Sequence, residues 1–597
     1  MSSFLRTALA LWAMLALPCF VANAAEPVHI SLIAINDFHG HILPPPGSVL
    51  MPDAANPRGT RVGAGGAAHL ASLVRELKAS NPDRTLVVGA GDLVGATPLA
   101  SSLFHDEPTI EVLNQIGLEV SSVGNHEFDK GRAELLRLQN GGCYPHSDNG
   151  PSGPVGVVGK DTCLLAGAFT GARFQYLAAN VVDKATGKTL FPATALREVG
   201  GVKIGLIGLT LRSTPSVVTP GGVAGLRFLG EVATVNRLAP ALKAQGAAAV
   251  VVLIHQGGQT SARTVQDPTC PDFNGPIVAL ADQFDAAVDV VISGHTHQEY
   301  VCTRPDGKLV TQTGAYGRLV TQVDLQIDAA AKRVVAKQAH NHVVLNGAVV
   351  NDAQGKPLPL PAGARVLEPD PSVEQIVRRY GDLTAPVADR EVGRLAKPLD
   401  RHTNAAGESS LGAVIADAYL AGSSNSSEGE RPAQIAFTNP GGLRADLKTS
   451  LSVTYGQLAS VLPFQNKLIS MDLTGQQILR LLEQQWEQPQ SGSGRMLSVS
   501  SGFSYAWDAS QPAGAPPGKG RRVVPGSMRL NGEVMDLNAL YRVTVNSFMA
   551  GGSGSNNVLK KGLNRREGEV DLVAVQLYFR LKGLVPAPRL GRIQRLN

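Results

Sequence analysis

Short runs of apolar, often β-branched residues recur through the first half of the chain, and each is bounded by glycine or polar residues. Runs of this length and composition are typical of buried β-strands rather than of helices. We therefore predict strands at His29–Ile35, Thr85–Ala90, Val202–Gly208, Ala248–Ile254 and Val288–Ser293. Apolar residues at helical spacing predict a helix over Ala67–Ala79, which the Asn-Pro pair after it would stop. This alternation of strands and helices indicates a layered α/β fold.

Proline becomes dense between residues 351 and 371, which contain Lys-Pro-Leu-Pro-Leu-Pro and Glu-Pro-Asp-Pro. Because proline removes backbone donors and blocks helix formation, this segment is predicted to be a connector. A helix over Ser372–Leu383, stopped near Pro386, and then a second α/β region from about residue 391 to residue 597 are expected to follow. The clearest helix of that region is predicted over Thr474–Trp486, where Thr474 and Gln477 form a capping-box pattern. The chain is thus predicted to have two domains, residues 25–350 and 391–597, joined by residues 351–390.

Residues 1–24 have the pattern of a secretory signal. Arg6 precedes the apolar run Ala8–Leu17, and the small-residue motif Ala22-Asn23-Ala24 follows. A membrane anchor is the less favoured alternative, because the run is too short to span a bilayer comfortably. Cleavage after Ala24 would leave a protein that we expect to be periplasmic or secreted.

The composition is that of a globular chain, with 43% apolar and 17% charged residues among 597. The net charge is +5, and because no basic stripe is present, charge gives no argument for nucleic-acid binding. Loss of the leader would remove Cys19 and leave four of the five cysteines. Four cysteines in an oxidising compartment suggest two disulfides. Local pairing predicts Cys143–Cys163 and Cys270–Cys302, although three connectivities are possible.

Side chains of metal-binding type follow the apolar strands of the first domain. They occur in five segments: Asn36-Asp37-Phe38-His39, Gly91-Asp92, Gly124-Asn125-His126-Glu127-Phe128-Asp129, His255, and Gly294-His295-Thr296-His297. Clustering beyond the carboxyl ends of strands is the usual site geometry of open α/β sheets. Taken singly, each segment is better explained as a turn, a loop or a core residue. Five of them in one domain favour a functional site.

The candidate ligands are Asp, Asn and His without Cys, a set that favours Zn, Mn, Fe or Co over Ca or Mg. Seven candidates are too many for one tetrahedral ion, and they suit two ions that share a carboxylate. Such a pair clamps a phosphoryl group and stabilises both the attacking and the departing oxygen. The pattern therefore predicts a phosphoester or phosphoanhydride hydrolase.

The order D-F-H, G-D, G-N-H-E-F-D, H and G-H-T-H resembles the calcineurin-like metallophosphoesterase family. Over essentially the whole mature length, the chain is similar to the periplasmic 5′-nucleotidase/UDP-sugar hydrolase group. The resemblance implies an α/β fold: an N-terminal layered α/β metallophosphoesterase domain (a β-sandwich flanked by helices), joined by a linker helix to a C-terminal α/β substrate-binding domain.

The resemblance also implies roles for the residues of the five segments. The implied ligands of one metal are Asp37, His39, Asp92 and His297, and those of the other are Asp92, Asn125, His255 and His295. Asp92 would bridge the two ions. His126 matches the family's catalytic histidine, which stabilises charge developing on the phosphoryl group or the leaving oxygen, and Asp129 would orient and polarise it. Glu127 is interpreted as structural.

Motifs of the second domain resemble the family's substrate-binding elements. Asn439-Pro-Gly-Gly-Leu-Arg444, which includes Gly442, resembles N-x-G-G-[IL]-R and implies that Arg444 contacts phosphate and Asn439 lies near the base. Arg401, ahead of Gly407–Gly412, matches a phosphate-contacting arginine. Pro463-Phe464-Gln465-Asn466 resembles P-F-x-N, whose phenylalanine stacks on the base, and Phe548 resembles the second stacking ring. Core packing is the alternative for both rings.

One motif departs from the family pattern. Family members usually carry F-x-x-x-G-G-D, whose aspartate contacts the ribose, whereas this chain has F-x-x-G-G-S. Ser553 or Gly554 stands in that place, and a serine could hydrogen-bond a sugar hydroxyl without charge assistance. This difference leaves the exact substrate open, but not the hydrolysis.

The resemblance implies an exported, metal-dependent 5′-nucleotidase that releases phosphate from nucleoside 5′-monophosphates, and it leaves cleavage of nucleotide sugars open as an additional activity. It would use two divalent ions, with Zn, Mn or Co preferred. The alternatives are a hydrolase of cyclic nucleotides or other phosphoesters, and a catalytically dead binding protein, against which the intact ligand set argues. The expected partner is a small-molecule nucleotide; we expect no duplex nucleic acid, no stable membrane insertion and a monomer.

Overall fold

The computed structural model describes residues 26–144, 156–164, 168–352, 354–423, 431–448, 452–488 and 496–597. The predicted signal segment, residues 1–24, lies outside these described residues. Within them, no helix combines the length and the apolar character needed to cross a membrane.

Two six-stranded sheets form the centre of the first domain. The strands of the first sheet are Val28–Ile35 (β1), Thr85–Ala90 (β4), Val120–Ser122 (β5), Gln175–Leu177 (β6), Leu319–Asp328 (β15) and Arg333–Val343 (β16). Those of the second are Thr194–Val199 (β8), Val202–Thr210 (β9), Ala247–His255 (β11), Val290–Ser293 (β12), Glu299–Thr303 (β13) and Leu309–Thr313 (β14). The strand orders are β16-β15-β1-β4-β5-β6 and β13-β14-β12-β11-β9-β8. All five predicted strands are confirmed, the last beginning two residues later than predicted.

The two sheets face each other across a core of aliphatic side chains. Leu32 and Val88 of the first sheet and Leu206 and Leu253 of the second belong to this core, and all four are fully buried. Strands β4 and β11 are buried along their whole length. Parallel strands covered on both faces are expected to have such uninterrupted apolar sequences. Two small ribbons complete the strands of the domain: Val49–Asp53 (β2) with Asn56–Val62 (β3), and Val181–Asp183 (β7) with Leu226–Phe228 (β10).

Helices cover the outer faces of both sheets. They are Ala67–Ser80 (α1), Leu99–Ser102 (α2), Glu107–Ile116 (α3), Arg132–Asn140 (α4), Thr214–Val217 (α5), Glu231–Ala244 (α6), Pro276–Gln283 (α7) and Pro371–Ala388 (α8). Helices α1, α3 and α8 bury apolar residues in one core with the first sheet, and α6 and α7 do so with the second. The predicted β-sandwich flanked by helices is therefore confirmed, and α1 matches its predicted range to within one residue.

Helix α8 follows the connector but is longer than predicted. The sequence predicts a stop near Pro386, and the helix continues to Ala388. Asp370 caps its start, because the Asp370 carboxylate accepts hydrogen bonds from the backbone of Ser372 and Val373 at 3.0 and 3.2 Å. Pro386 lacks only its own N–H and lies in the last turn, so the backbone N–H of Asp389 still reaches the Ala385 carbonyl at 2.9 Å. Between β16 and α8, the described residues contain no helix or extended strand, as the proline content predicts.

A five-stranded sheet is the centre of the second domain. Its strands are Ile435–Thr438 (β18), Lys467–Thr474 (β20), Ser498–Val499 (β21), Leu540–Asn546 (β25) and Leu563–Val570 (β26), in the order β21-β18-β25-β20-β26. Smaller sheets contain Glu391–Leu395 (β17), Val453–Thr454 (β19), Leu584–Val585 (β27), Phe503–Asp508 (β22), Arg529–Leu530 (β23), Glu533–Val534 (β24) and Ile593–Leu596 (β28). The helices are Ser410–Gly422 (α9), Tyr455–Val461 (α10), Gly475–Glu483 (α11), Ser547–Ala550 (α12) and Asp571–Lys582 (α13). Short 3₁₀ turns occur at His126–Phe128, Pro440–Gly442 and Asn557–Lys561.

The predicted capping box is present at the start of α11. The Thr474 hydroxyl accepts a hydrogen bond from the Gln477 backbone at 3.1 Å, and the Gln477 side chain accepts one from the Thr474 backbone at 2.8 Å. The helix ends at Glu483, three residues before its predicted end at Trp486, whose ring is buried in the domain core.

Both predicted disulfides are confirmed. Cys143 is bonded to Cys163 and Cys270 to Cys302, with Cα–Cα separations of 5.3 and 5.5 Å. Cys302 lies on the edge strand β13, so this bond ties a surface loop to the second sheet.

Candidate active site

The five ligand-bearing segments meet at one edge of the sandwich because the central strands are parallel. Ile35 of β1 pairs with Gly89 of β4, and Ile254 of β11 pairs with Ser293 of β12. The loops after these strands therefore leave their sheets at corresponding ends. Backbone hydrogen bonds then join the loops, from the Asp37 N–H to the Gly91 carbonyl and from the His39 N–H to the Asp92 carbonyl, both at 3.0 Å.

Five of the seven proposed ligands have left-handed backbone conformations. The φ angles are 49° for Asp37, 47° for His39, 49° for Asp92, 75° for His295 and 56° for His297. Non-glycine residues adopt this region at a cost, and such residues cluster at functional sites. The concentration of left-handed residues here therefore points to a functional site independently of the side-chain types.

The first cluster of ligand-type atoms contains Asp37, His39 and His297, whose ligand atoms all lie within 4.8 Å of one another. The Asp37 Oδ1 atom lies 3.3 Å from His297 Nε2 and 3.9 Å from His39 Nε2. The two imidazole Nε2 atoms are 3.2 Å apart. Three donors that converge in this way could hold one ion.

The second cluster contains Asp92, His255 and His295, again with ligand atoms within 4.8 Å. The Asp92 Oδ2 atom lies 2.9 Å from His255 Nε2 and 3.7 Å from His39 Nε2, so this carboxylate stands between the two clusters. The Asn125 Oδ1 atom is buried and has no hydrogen-bond partner among the described residues. A buried amide oxygen without a partner is costly unless it has a ligand, so Asn125 suits a metal ligand.

Carbonyl groups set the orientation of two of the histidines. His39 Nδ1 lies 2.8 Å from the Gly95 carbonyl, and His255 Nδ1 lies 2.8 Å from the Ala90 carbonyl. Because a carbonyl only accepts, each Nδ1 carries a proton, and each Nε2 faces the cluster as the atom that would bind a metal. Burial holds the pKa of His39 well below its usual range, which keeps the ring neutral as metal binding requires. Burial acts to raise the pKa of Asp92, but the neighbouring histidines, His255 foremost, hold it well below its usual range.

Glu127 holds together the loop after β4, which carries Asp92, and the loop after β5, which carries Asn125. Its Oε2 atom accepts hydrogen bonds from the backbone of Asp92 at 3.0 Å and of Gly124 at 2.7 Å, and its Oε1 atom accepts one from Leu93 at 2.7 Å. Burial and the Asp92 carboxylate raise the pKa of Glu127 to about 8. These three contacts agree with the prediction that Glu127 is structural, and they show which backbone groups it holds, which the sequence alone did not.

His126 and Asp129 form the expected pair. His126 Nδ1 lies 2.8 Å from the Asp129 carboxylate, and the His126 backbone N–H donates to Asp92 Oδ1 at 2.8 Å. Burial opposes the protonated ring, but Asp129 and Asp92 raise the pKa of His126. His126 is thus hydrogen-bonded through its ring to Asp129 and through its backbone N–H to Asp92, the carboxylate between the two clusters.

The second domain covers this site. The ring of Phe464 stacks on that of His126, with centroids 5.5 Å apart and planes inclined by 22°. The guanidinium carbon of Arg444 lies 6.0 Å from the Phe464 ring centroid. The motifs N-x-G-G-L-R and P-F-x-N therefore lie beside His126 and the two clusters.

The other predicted substrate residues form a hydrogen-bonded group around the same motifs. Asn439 Oδ1 accepts from Asn546 Nδ2 at 2.9 Å, and Asn466 Oδ1 accepts from the hydroxyl of Ser547 at 3.1 Å. Gly442 lies in the 3₁₀ turn that follows Asn439, and the half-buried ring of Phe548, next to Ser547, packs against the domain core.

Arg401 and Ser553 have partners within the protein. The Arg401 side chain pairs with Asp446 at 2.9 Å and remains partly exposed. Ser553 is buried, and its hydroxyl donates to the Val218 carbonyl of the first domain at 2.8 Å. Next to it, the Gly554 N–H donates to the Ser216 carbonyl at 2.7 Å. In this arrangement the Ser553 hydroxyl is committed to the contact between the domains, and its role on a sugar stays a prediction.

Sequence reasoning did not name Tyr316, whose ring contacts the first cluster. The centroid distances are 5.3 Å to His297 and 5.8 Å to His39. Its sequence signal was weak, since a single aromatic residue in a Gly-Ala-Tyr-Gly turn after a strand has no distinctive chemistry.

Two family models match the chain: calcineurin-like phosphoesterase over residues 30–299, and 5′-nucleotidase, C-terminal domain, over residues 387–561. Endonuclease YhcR of Bacillus subtilis is 30% identical over 93% of this chain, and a cell wall protein of Listeria monocytogenes is 28% identical over 90%. The chain spans 40% and 65% of the lengths of these two relatives. The solved structure of a 5′-nucleotidase precursor from Thermus thermophilus superposes with a TM-score of 0.72 at 26% identity, covering 96% of this chain and all of that one.

Proposed function

The chain belongs to the calcineurin-like phosphoesterases that carry a 5′-nucleotidase C-terminal domain, and from this membership we propose that it is a metal-dependent hydrolase that releases phosphate from nucleoside 5′-monophosphates. The observation that carries the proposal is the pair of ligand clusters joined by Asp92, with Arg444 and Phe464 of the second domain directly over them. A metal centre that faces an arginine and an aromatic ring suits a substrate with a phosphate at one end and a base at the other.

We assign one divalent ion to Asp37, His39, Asp92 and His297, and a second to Asp92, Asn125, His255 and His295. The unpartnered Asn125 oxygen and the carbonyl-anchored His39 and His255 fit such ions. The mixture of imidazole and oxygen donors favours Zn, Mn or Co. When bound, two divalent ions supply Lewis-acid charge beside the phosphoryl group.

The roles of the chain's own residues follow from their positions. His126, held by Asp129 at 2.8 Å, is proposed to donate a hydrogen bond to the phosphoryl group or the leaving oxygen. Arg444 would bind the phosphate, with Arg401 beside the same motif, and Asn439 and Asn466 would line the base. Phe464 covers His126 in this arrangement, so we propose that the second domain moves away to admit substrate and that the ring then stacks on the base.

A second candidate function is favoured by Ser553. The Gly-Gly-Ser loop has a serine where the family carries an aspartate, so it offers the sugar no charged group, and the Ser553 hydroxyl is bonded to the Val218 carbonyl. We therefore propose, as the second candidate function, the cleavage of nucleotide sugars or of cyclic nucleotides and other phosphoesters. Export to the periplasm or the medium is also proposed; the two disulfides support it.

The decisive assay separates the products formed from AMP, UDP-glucose and 2′,3′-cyclic AMP by chromatography, before and after treatment with EDTA and after re-addition of Zn²⁺, Mn²⁺ or Co²⁺. Hydrolysis of AMP gives adenosine and phosphate, hydrolysis of UDP-glucose gives UMP and glucose 1-phosphate, and hydrolysis of the cyclic nucleotide gives an adenosine monophosphate. We expect the highest kcat/KM on AMP, loss of activity with EDTA and recovery with metal. Hydrolysis that survives complete metal removal would contradict the metal proposal. Activity confined to the cyclic nucleotide or to UDP-glucose would favour the second candidate, and activity on none would favour a binding protein.

The substrate role of the second domain has its own test. Phe464→Ala and Phe548→Ala should each lower kcat/KM for AMP about 5- to 150-fold, since stacking on a base contributes about 1–3 kcal/mol. A simple aryl phosphate has no base and should lose much less, so it serves as the matched control. Equal losses on both substrates would show that the rings act through packing.

A further inference from the structure

Tyr316 has a backbone conformation that is unfavourable for its residue type. It lies in the turn Gly314-Ala315-Tyr316-Gly317 after β14, and its φ angle is +64°. A bulky residue in the left-handed region is strained, whereas glycine adopts it freely. The turn is held in place by a hydrogen bond from the Tyr316 N–H to the carbonyl oxygen of Asp37, at 2.8 Å. The strained residue is thus attached directly to a proposed metal ligand.

The Tyr316 ring packs among the histidines of the first cluster. Its centroid lies 5.3 Å from that of His297, edge-on at 83°, and 5.8 Å from that of His39. His41 lies nearer still, at 4.2 Å. The guanidinium carbon of Arg318 is 5.0 Å from the ring centroid, and Arg318 Nη2 donates to the Pro46 carbonyl at 2.5 Å. The ring is therefore held firmly by its neighbours.

His297 differs from His39 and His255 in what fixes its ring. His39 and His255 each have Nδ1 against a backbone carbonyl at 2.8 Å. For His297, no partner of Nδ1 occurs in the part of the chain that the structure describes, and a quarter of its side chain is exposed. A metal-binding imidazole needs a neighbour to set its orientation. The edge-on ring of Tyr316 is placed to do this.

We propose that Tyr316 is a positioning residue that holds His297, and with it His39, in the orientation that binds the first metal. The side chain would explain why a tyrosine occupies a position that glycine would fill without strain. This inference rests on the ligand assignment under the proposed function. It concerns only the cluster of Asp37, His39 and His297.

The test compares metal binding by three single variants. Tyr316→Gly removes the ring and suits the left-handed turn, so it keeps the backbone while it removes the proposed support. Tyr316→Phe keeps the ring. Lys332→Gly is the matched control, because Lys332 is also left-handed, at φ 51°, but lies in the exposed turn between β15 and β16. Metal-free protein is titrated with Co²⁺ and followed by visible absorption and calorimetry.

We expect wild type, Tyr316→Phe and Lys332→Gly to bind two ions with similar affinities. Tyr316→Gly should weaken one site about 10- to 100-fold, the range for loss of a residue that supports a ligand, and leave the other unchanged. His297→Ala and His295→Ala, each of which removes a ligand of one cluster, identify which binding step has weakened.

Each other outcome counts against the inference. If Tyr316→Gly bound both ions like the wild type, or weakened both sites equally, the positioning role would be overturned while the proposed metal centre stood. If Tyr316→Phe behaved like Tyr316→Gly, the hydroxyl rather than the ring would act, which also overturns the positioning role of the ring. A wild-type protein that bound no pair of ions would overturn both this inference and the proposed function.

Discussion

Substitution of Glu127 tests how the loops after β4 and β5, which carry Asp92 and Asn125, are held together. Its buried carboxyl group accepts three backbone hydrogen bonds, from Asp92, Leu93 and Gly124, at 3.0, 2.7 and 2.7 Å. Asp92 and Leu93 follow β4, and Gly124 follows β5, so the three bonds join two strand ends. Glu127→Ala removes both acceptor oxygens and with them all three hydrogen bonds. Glu127→Gln keeps the shape but replaces one oxygen with a donor.

The expected loss of local stability follows from the number of hydrogen bonds that each variant removes. Each buried N–H that loses its acceptor costs about 1–3 kcal/mol. For Glu127→Ala the three donors give about 3–9 kcal/mol, and water entering the vacated space would bring the effect toward the lower value. For Glu127→Gln, the amide oxygen can serve Asp92 and Gly124 while the amide nitrogen faces the Leu93 N–H. One bond is then lost, at a cost of about 1–3 kcal/mol.

The appropriate quantity to measure is the free energy of local opening, because a two-domain protein need not unfold in a single step. Hydrogen exchange of the metal-free protein is followed by mass spectrometry for peptides covering residues 90–95 and 122–126. We expect these amides to exchange at least about 100-fold faster in Glu127→Ala and about 5- to 150-fold faster in Glu127→Gln. Glu391→Ala is the control, since Glu391 is exposed and pairs at the surface with Arg394 at 3.4 Å.

Exchange at the wild-type rate in Glu127→Ala would refute the reasoning, because the three bonds would then not hold the loops. Faster exchange spread evenly over the first domain would also contradict it, since it would show a general loss of stability. The same preparations should bind less metal if the loops position Asp92.

Three further predictions use other contacts. His126→Ala should lower kcat about 10²- to 10⁴-fold with both metals retained, as measured by steady-state kinetics and elemental analysis; loss of metal would contradict its assignment as a residue outside the ligand set. Ser553→Asp places a carboxylate against the Val218 carbonyl, so it should disfavour the closed contact between the domains and increase the radius of gyration in solution scattering, whereas Ser510→Asp on the surface should not. Peptide mapping of the mature protein without reduction should recover the Cys143–Cys163 and Cys270–Cys302 links, and free thiols at these positions would refute both the pairing and the export proposal.

Much of the fold could be predicted from local patterns. The strands are predictable because central parallel strands are apolar throughout, and α11 is predictable because its capping box lies within four residues. The predicted end of α8 near Pro386 is too early, because a proline in the last turn of a helix removes only one donor.

The sequence by itself determined which segments carry the candidate ligands, since aspartate, asparagine and histidine directly after apolar strands are a local signal. Only the tertiary structure decided how those segments meet. The position of Asp92 between two clusters, the stacking of Phe464 on His126 and the bond from Ser553 to Val218 join residues that lie far apart in the chain. The left-handed turn that sets Tyr316 against His297 is likewise stabilised by a bond to Asp37, far earlier in the chain. Such contacts arise from strand order and from the packing of two domains, and no local pattern of residues encodes them.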